Sequence, residues 1–206
     1  SRTVLVTAAS GLGKSRLLLE TSRIAVSHGF RVFRAQGQNQ IGLAPLASLR
    51  ETLSQCIEVI RHDPGLRTHL QSELSEFARE LSTVVPELVT ELALQVPVER
   101  TNDLSDRRIA IALATFFRSL GSAEKPALIL LDDMHWADDL TLTMLECWHL
   151  TNSSHTLLIV GTRPSDSTAE RLRDNLKCGI KLSLDPLVRA DHDKLLGSMT
   201  GGLPAQ

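Results

Sequence analysis

The stretch "VTAASGLGKSR", residues 6–16, decides how the rest of the chain is read. An apolar run, "TVLVT" at 3–7, ends in a short loop with two glycines, and the loop ends in Gly13-Lys14-Ser15. From Ser15 to 28 the residues follow a helical pattern that stops at Gly29, a residue suited to ending a helix. The order is therefore strand, tight loop, helix. Gly11 and Gly13 lack a Cβ, so the backbone can turn sharply and aim its N–H groups inward. The helix directs the positive end of its dipole at the same point.

Such a loop suits a polyphosphate. Lys14 supplies a mobile charge for β- and γ-phosphates, the Ser15 hydroxyl is a magnesium ligand, and residues 9–16 (Ala9, Ser10, Gly11, Leu12, Gly13, Lys14, Ser15 and Arg16) form the cradle. This is the P-loop pattern with one departure, Ala8 in place of the first glycine. A dinucleotide-binding fold is a poor rival. Arg16 stands where its third glycine belongs, and no acidic residue ends the second strand near Gln36.

Further along, "ALILLDDMHWAD" delivers Asp132 and Asp133 from the carboxyl end of a buried apolar strand. In an open parallel sheet, that edge is where ligands bind. Asp132 is positioned to hold Mg²⁺ directly or through water, and Asp133 to polarise a water attacking the γ-phosphate. The plainer alternative is an Asp-Asp turn capping a helix, and Asp138 reads as such an N-cap. A third apolar strand, in "TLLIVGTRP", brings Thr162 and Arg163 to the same edge. Arg163 could touch the γ-phosphate and sense its presence, or be a surface arginine before a proline turn.

Around these motifs the chain alternates strands and helices. "TVLVT" (3–7), "ALILL" (127–131) and "TLLIV" (156–160) are continuous apolar runs suited to strands covered on both faces. "RVFRA" (31–35) and "IKLSL" (180–184) are more mixed and suit sheet edges. The expectation is a parallel α/β sheet. Residues 44–121 read as a helical insertion between the second and third strands, with Pro86 and Pro97 marking a break. Leu46, Leu49, Leu53, Ile57 and Ile60 share one helical face, as do Leu66, Leu70, Leu74, Phe77 and Leu81. Ile109, Ala112, Leu113, Phe116, Phe117 and Leu120 form the cleanest stripe and end at Gly121. Met144, Leu145 and Trp148 repeat the spacing after Asp138, and a last helix would carry Leu195, Leu196 and Met199.

The 206 residues suffice for one ample core, and 42% apolar with 22% charged residues is ordinary soluble usage. A net charge of −2 argues against a nucleic-acid or membrane-surface protein held by bulk electrostatics. No apolar run approaches a membrane span, and residues 1–10 are too short and polar for a signal peptide. Cys56, Cys147 and Cys178 lack ligand spacing and read as free thiols in a reducing cytosol. His62 and His69, seven apart, have no third ligand and read as surface residues. His192 reads as packing or solvent-facing, and "RLRDNLK" (171–177) as a solvated basic face. The chain as a whole, 1–206, reads as a single P-loop domain and a piece of a longer protein.

Together "SGLGKSRLLLE", "LILLDDMHWADDLTLTMLE" and "LLIVGTRP" resemble the AAA-type ATPase domain of the STAND class, the signal-transduction ATPases with numerous domains. The resemblance covers nearly the whole chain, including "QNQIGLAPLASLRETL", where the aromatic residue that such domains often carry before "AP" is absent. "VVPELV" with Pro97, Arg107 and Arg108 following is similar to members fused to protein kinases; other relatives are fused to LuxR-type DNA-binding regions or nucleotide cyclases. The resemblance implies a three-layer P-loop NTPase with sheet order 5-1-4-3-2 and a slow, regulatory, Mg-dependent ATPase. Lys14 and Ser15 become its phosphate and magnesium residues, Asp132 its magnesium carboxylate, Asp133 its water-orienting acid and Arg163 its sensor arginine. His135 and Trp136 match without an assigned role; Trp136 is large enough to pack under the phosphate site. "GGLPA" (201–205) is similar to a segment whose proline touches adenine in related ATPases. The implied setting is cytoplasmic. The implied partners are ATP, output domains of the same chain and, in some nucleotide states, further copies, with no membrane or direct nucleic-acid contact. A nucleotide-binding scaffold without turnover and a small-molecule kinase on the same fold remain open. A GTPase is disfavoured, since no "NKxD"-like stretch is present.

Overall fold

In the computed structural model, the described residues are 3–38, 45–97, 105–150, 155–164, 167–177, 179–186 and 191. Five strands form one sheet: β1 (Thr3–Ala8), β2 (Arg31–Gln36), β3 (Ala127–Asp132), β4 (Thr156–Thr162) and β5 (Ile180–Leu184). Every pairing is parallel and the order is β2-β3-β4-β1-β5, the expected 5-1-4-3-2 read from the other edge. The continuous apolar runs are the three inner strands. The mixed runs are the two edges, and in β5 Ile180 through Ser183 are exposed.

The period of two sends side chains to alternate faces. Leu5, Phe33, Ile129, Leu131, Leu158 and Val160 belong to the larger core, with α6 (Asp106–Arg118) and α7 (Asp139–Cys147). Val6, Leu128, Leu130 and Ile159 pack on the other face with Leu18 and Ala25 of α1 (Lys14–Ser27). Helices on both faces make the three layers. The helix α1 ends as expected, with Gly29 at φ 80°.

Between β2 and β3 a 3-10 turn, Ala47–Leu49, leads into α2 (Arg50–His62), followed by α3 (Pro64–Leu74), α4 (Ala78–Val84), α5 (Pro86–Glu91) and α6. The apolar stripes are buried as expected, except Phe77, which is partly so. The breaks have local causes. Asp63 and Val85 each precede a proline, which disfavours helical ψ, and they adopt ψ 90° and 64°. Pro64 and Pro86 then open the next helices, and Asp63 caps α3 by accepting from Leu66 N–H at 2.9 Å. The second stripe, continuous in the sequence, is split by a 3-10 turn at Ser75–Phe77. α6 carries the predicted stripe, with Ser105 at its N-cap.

α7 begins at Asp138, which accepts from Thr141 N–H at 3.0 Å and from the Thr141 hydroxyl at 2.7 Å. In the basic segment 171–177, Arg173 and Lys177 are exposed as expected, and Arg171 differs. Arg171 of α8 (Ser167–Asn175) is half-buried, donates to Glu146 at 2.6 Å and pairs with Asp139 at 3.1 Å, tying α8 to α7. Cys56 and Cys147 are free and buried. His62 and His69 are exposed, and no metal-holding group of three appears among the described residues. No helix among them is long and apolar enough to cross a membrane. Cys178, His192, the last apolar stripe and "GGLPA" lie outside the described residues.

Candidate active site

The register of the sheet brings the strand ends to one edge. Gln36 lies opposite Asp132, and Thr7 opposite Thr162. The chain leaves β1 at the buried Ala8, and Gly11 and Gly13 adopt φ 83° and 87°. A Cβ on either would meet nothing within 4 Å, so the backbone conformation, not crowding, calls for glycine. The loop lines a cleft of about 320 Å³. Of the residues expected in the cradle, Ala9, Ser10, Gly11, Gly13, Lys14, Ser15 and Arg16 line it; the half-buried Leu12 does not. Asp133 and Arg163 reach it from the far strands. Arg163 is half-buried there without an ion pair among the described residues, whereas Arg16 lies along α1 toward Glu20 at 2.9 Å.

Asp132 stands behind this wall. Its Oδ1 accepts from Lys14 Nζ and from Asp133 N–H (2.8 Å), and its Oδ2 from the Ser15 hydroxyl at 2.5 Å. Lys14, only 7% exposed, also donates to Asp133 Oδ1 at 2.8 Å. The lysine that the sequence aims at phosphate thus also bridges the two acids. The set passes a test of fit for magnesium, a hard cation that takes oxygen ligands: hydroxyl and carboxylate oxygens adjoin here. Gly161 keeps the space open. A methyl group there would stand 2.9 Å from Asp132 Oδ1 and 3.2 Å from both Lys14 Cδ and Leu18 Cδ1.

Asp133 is left-handed, φ 53° and ψ 37°, a region an aspartate enters more readily than most residues. Its Oδ2 accepts from Gln36 Nε2 at 3.1 Å. Burial alone would raise its carboxyl; the hydrogen bonds from Lys14 and Gln36 outweigh burial and hold it below the ordinary aspartate range. Gly37 N–H donates to the Asp132 carbonyl at 2.8 Å, and a Cβ on Gly37 would come within 2.2 Å of the Asp133 carbonyl oxygen.

The 3-10 turn Met134–Trp136 differs from expectation. Of its two aromatic rings His135, not Trp136, is the buried one, its side chain 1% exposed and Nδ1 4.0 Å from Asp133 Oδ1. Trp136 is 37% exposed and tilts against the imidazole with ring centroids 5.0 Å apart.

Residues 1–160 match the family model described as AAA ATPase domain. The chain belongs to this family. The matched segment runs through the phosphate loop and the acidic strand and into β4; Gly161, Thr162 and Arg163 lie just beyond it. Membership brings ATP binding and, in general, ATPase chemistry. No curated protein matches the chain.

Sequence reasoning did not single out Gln36 and Gly37 of this AAA ATPase domain, nor Gly161 just past the matched residues. The signals were present. Gln36 and Gly37 close β2 on the ligand-binding edge, and a glycine inside an apolar strand such as β4 marks a close approach. Thr162 is fully buried, and its hydroxyl has no partner among the described residues.

Proposed function

We propose that this domain binds Mg·ATP in the cleft and hydrolyses it slowly, as the conformational switch of a cytoplasmic, multidomain signalling protein of the STAND class. The observation that carries the reading is the convergence of Lys14 and Ser15 on Asp132, 118 and 117 residues away along the chain. The loop amides and Lys14 bind the phosphates. Ser15 and Asp132 would hold the magnesium, which would supply charge neutralisation to the phosphates. Asp133 accepts a hydrogen bond from a water and orients it toward the γ-phosphorus; the water oxygen bonds to that phosphorus as its bond to the bridging oxygen breaks, and the water's protons leave with the inorganic phosphate, giving ADP and phosphate. Arg163 stabilises charge on the γ-phosphoryl oxygens and links their presence to β4. The fold unit is one P-loop domain with 44–121 inserted, and its partners are output domains of the same chain, a kinase, cyclase or DNA-binding module.

One observation favours a second reading, a nucleotide-binding scaffold without turnover. Both carboxylate oxygens of Asp133 are engaged, by Lys14 and by Gln36. Phosphate release and calorimetric ATP binding separate the two. The switch reading expects measurable release, lost in Lys14→Ala together with binding and reduced at least about tenfold in Asp133→Asn with binding kept. An Asp133→Asn variant with the parental rate removes Asp133 from the mechanism, and absence of release from a chain that binds Mg·ATP establishes the scaffold.

A further inference from the structure

A second cavity, of about 360 Å³, lies on the other side of Asp132, between α1, β2 and α2. Two periodicities furnish it. Arg34 and Gln36, two apart on β2, face the same side of the sheet as their register partners Leu130 and Asp132. Glu51 and Gln55, four apart on α2, present one helical face to the same space. The Thr52 hydroxyl donates to the Arg34 carbonyl at 2.6 Å and pins the start of α2 to the strand. The buried Leu18 and Leu130 give it an apolar wall, and Ser15 and Asp132 also line it, the Asp132 carboxylate being already engaged by Ser15 and Lys14.

The charges in this cavity do not cancel internally. Among the described residues, Arg34 has no carboxylate within ion-pair distance, and Glu51 receives only the Gln55 amide, at 3.4 Å. A cation on one wall and a carboxylate on the other, each left to solvent, suit a ligand that carries both signs. Two amides can complete its hydrogen bonds, and the apolar wall accepts a short aliphatic group. A simple anion would face Glu51, and a simple cation would face Arg34.

We propose that this cavity binds a small zwitterion, a free α-amino acid with a short aliphatic side chain, with its carboxylate on Arg34 and its ammonium on Glu51. Gln36 lines the cavity and holds Asp133 Oδ2. Occupation therefore competes for the amide that restrains the acid and alters turnover; this coupling, unlike the binding itself, rests on the ATPase reading.

The test is titration calorimetry on the 206-residue chain without nucleotide, using L-alanine, L-valine and L-leucine. Butyrate and butylamine serve as single-charge controls. The expected result is saturable binding of at least one amino acid and none of either control. Arg34→Gln and Glu51→Gln, checked for an unchanged melting midpoint, should each weaken it at least about tenfold, or 1.4 kcal/mol. No saturable heat up to about 10 mM, weaker than any useful small-molecule affinity, overturns the proposal. So does butyrate binding as tightly as the amino acids, or binding indifferent to both substitutions. Phosphate release is then measured with and without the bound amino acid; an unchanged rate overturns the coupling. A chain that binds valine but not ATP overturns the ATPase reading and leaves the zwitterion site standing.

Discussion

Gly161→Ala tests whether the acidic corner is built on space that only glycine leaves. The added methyl would lie 2.9 Å from Asp132 Oδ1, closer than a Cβ sits to any such atom in practice, and 3.2 Å from Leu18 Cδ1 and Lys14 Cδ. The two longer side chains can bend away. The carboxylate cannot do so cheaply, because Lys14, Ser15 and the Asp133 amide all hold it. Overpacking of this kind costs about 1–3 kcal/mol. Alanine recovers about 0.5–1 kcal/mol because it loses less freedom than glycine on entering a strand. The net cost is at most about 2.5 kcal/mol, and at roughly 2–4 °C per kcal/mol the melting midpoint should fall by no more than about 10 °C. The fold survives, but the metal corner does not. Losing one hydrogen bond to a charged group costs about 1.5–3 kcal/mol, so Mg·ATP affinity should drop roughly 10- to 150-fold. Calorimetry with ATP in magnesium and again in EDTA reads the difference, which should be larger with the metal. Equal affinity for Mg·ATP in the variant and the parent, with both chains folded, refutes the reasoning.

Gly37→Ala sets a Cβ 2.2 Å from the Asp133 carbonyl oxygen, where the obstacle is backbone and not a side-chain tip. A loss near 3 kcal/mol and a melting midpoint lower by about 6–12 °C are expected in thermal unfolding. Asp138→Ala removes both hydrogen bonds that cap α7 and should cost about 1 kcal/mol by denaturant titration, while Asp138→Asn retains most of it. Since the Asp133 carboxyl lies below its ordinary value, its protonation opposes folding. The stability it contributes is present above the unfolded value of 3.8 and is lost as pH falls through the lower folded value. Melting midpoints measured below about pH 4 should therefore fall more steeply in the parent than in Asp133→Asn.

Much of this was legible because it is local. Three continuous apolar runs marked the inner strands, and two mixed runs, 31–35 and 180–184, marked the edges. The phosphate loop announced itself through Gly11, Gly13, Lys14 and Ser15. What stayed hidden depends on register or rotation. Nothing near Gln36 says that it will face Asp133; that follows only once β2 lies beside β3 with Gln36 opposite Asp132. The exchange of His135 and Trp136 has the same character. A left-handed Asp133 turns the next residues, so Met134 and His135 point into the core and Trp136 is partly exposed, although tryptophan is the more apolar of the two aromatic rings. The split between α3 and α4 was invisible because an apolar stripe can cross a 3-10 turn without losing its phase at every position.

The acidic corner also explains why site and fold cannot vary independently here. Lys14 is buried, and a buried cation is tolerated only when paired. Its two carboxylates come from the end of β3, one of them in a strained backbone state. The pair of acids is supported from both sides, Asp133 by Gln36 and Gly37 at the end of β2 and Asp132 by the space at Gly161 in β4. Each support is a backbone register or an absent side chain. A one-residue slip of either flanking strand would turn its supporting residue to the opposite face. Lys14 would then lose its partners' geometry, and its burial would cost what the pairing now offsets. Core substitutions that shift β2 or β4 along their axes should therefore register first as lost phosphate chemistry and only later as lost stability.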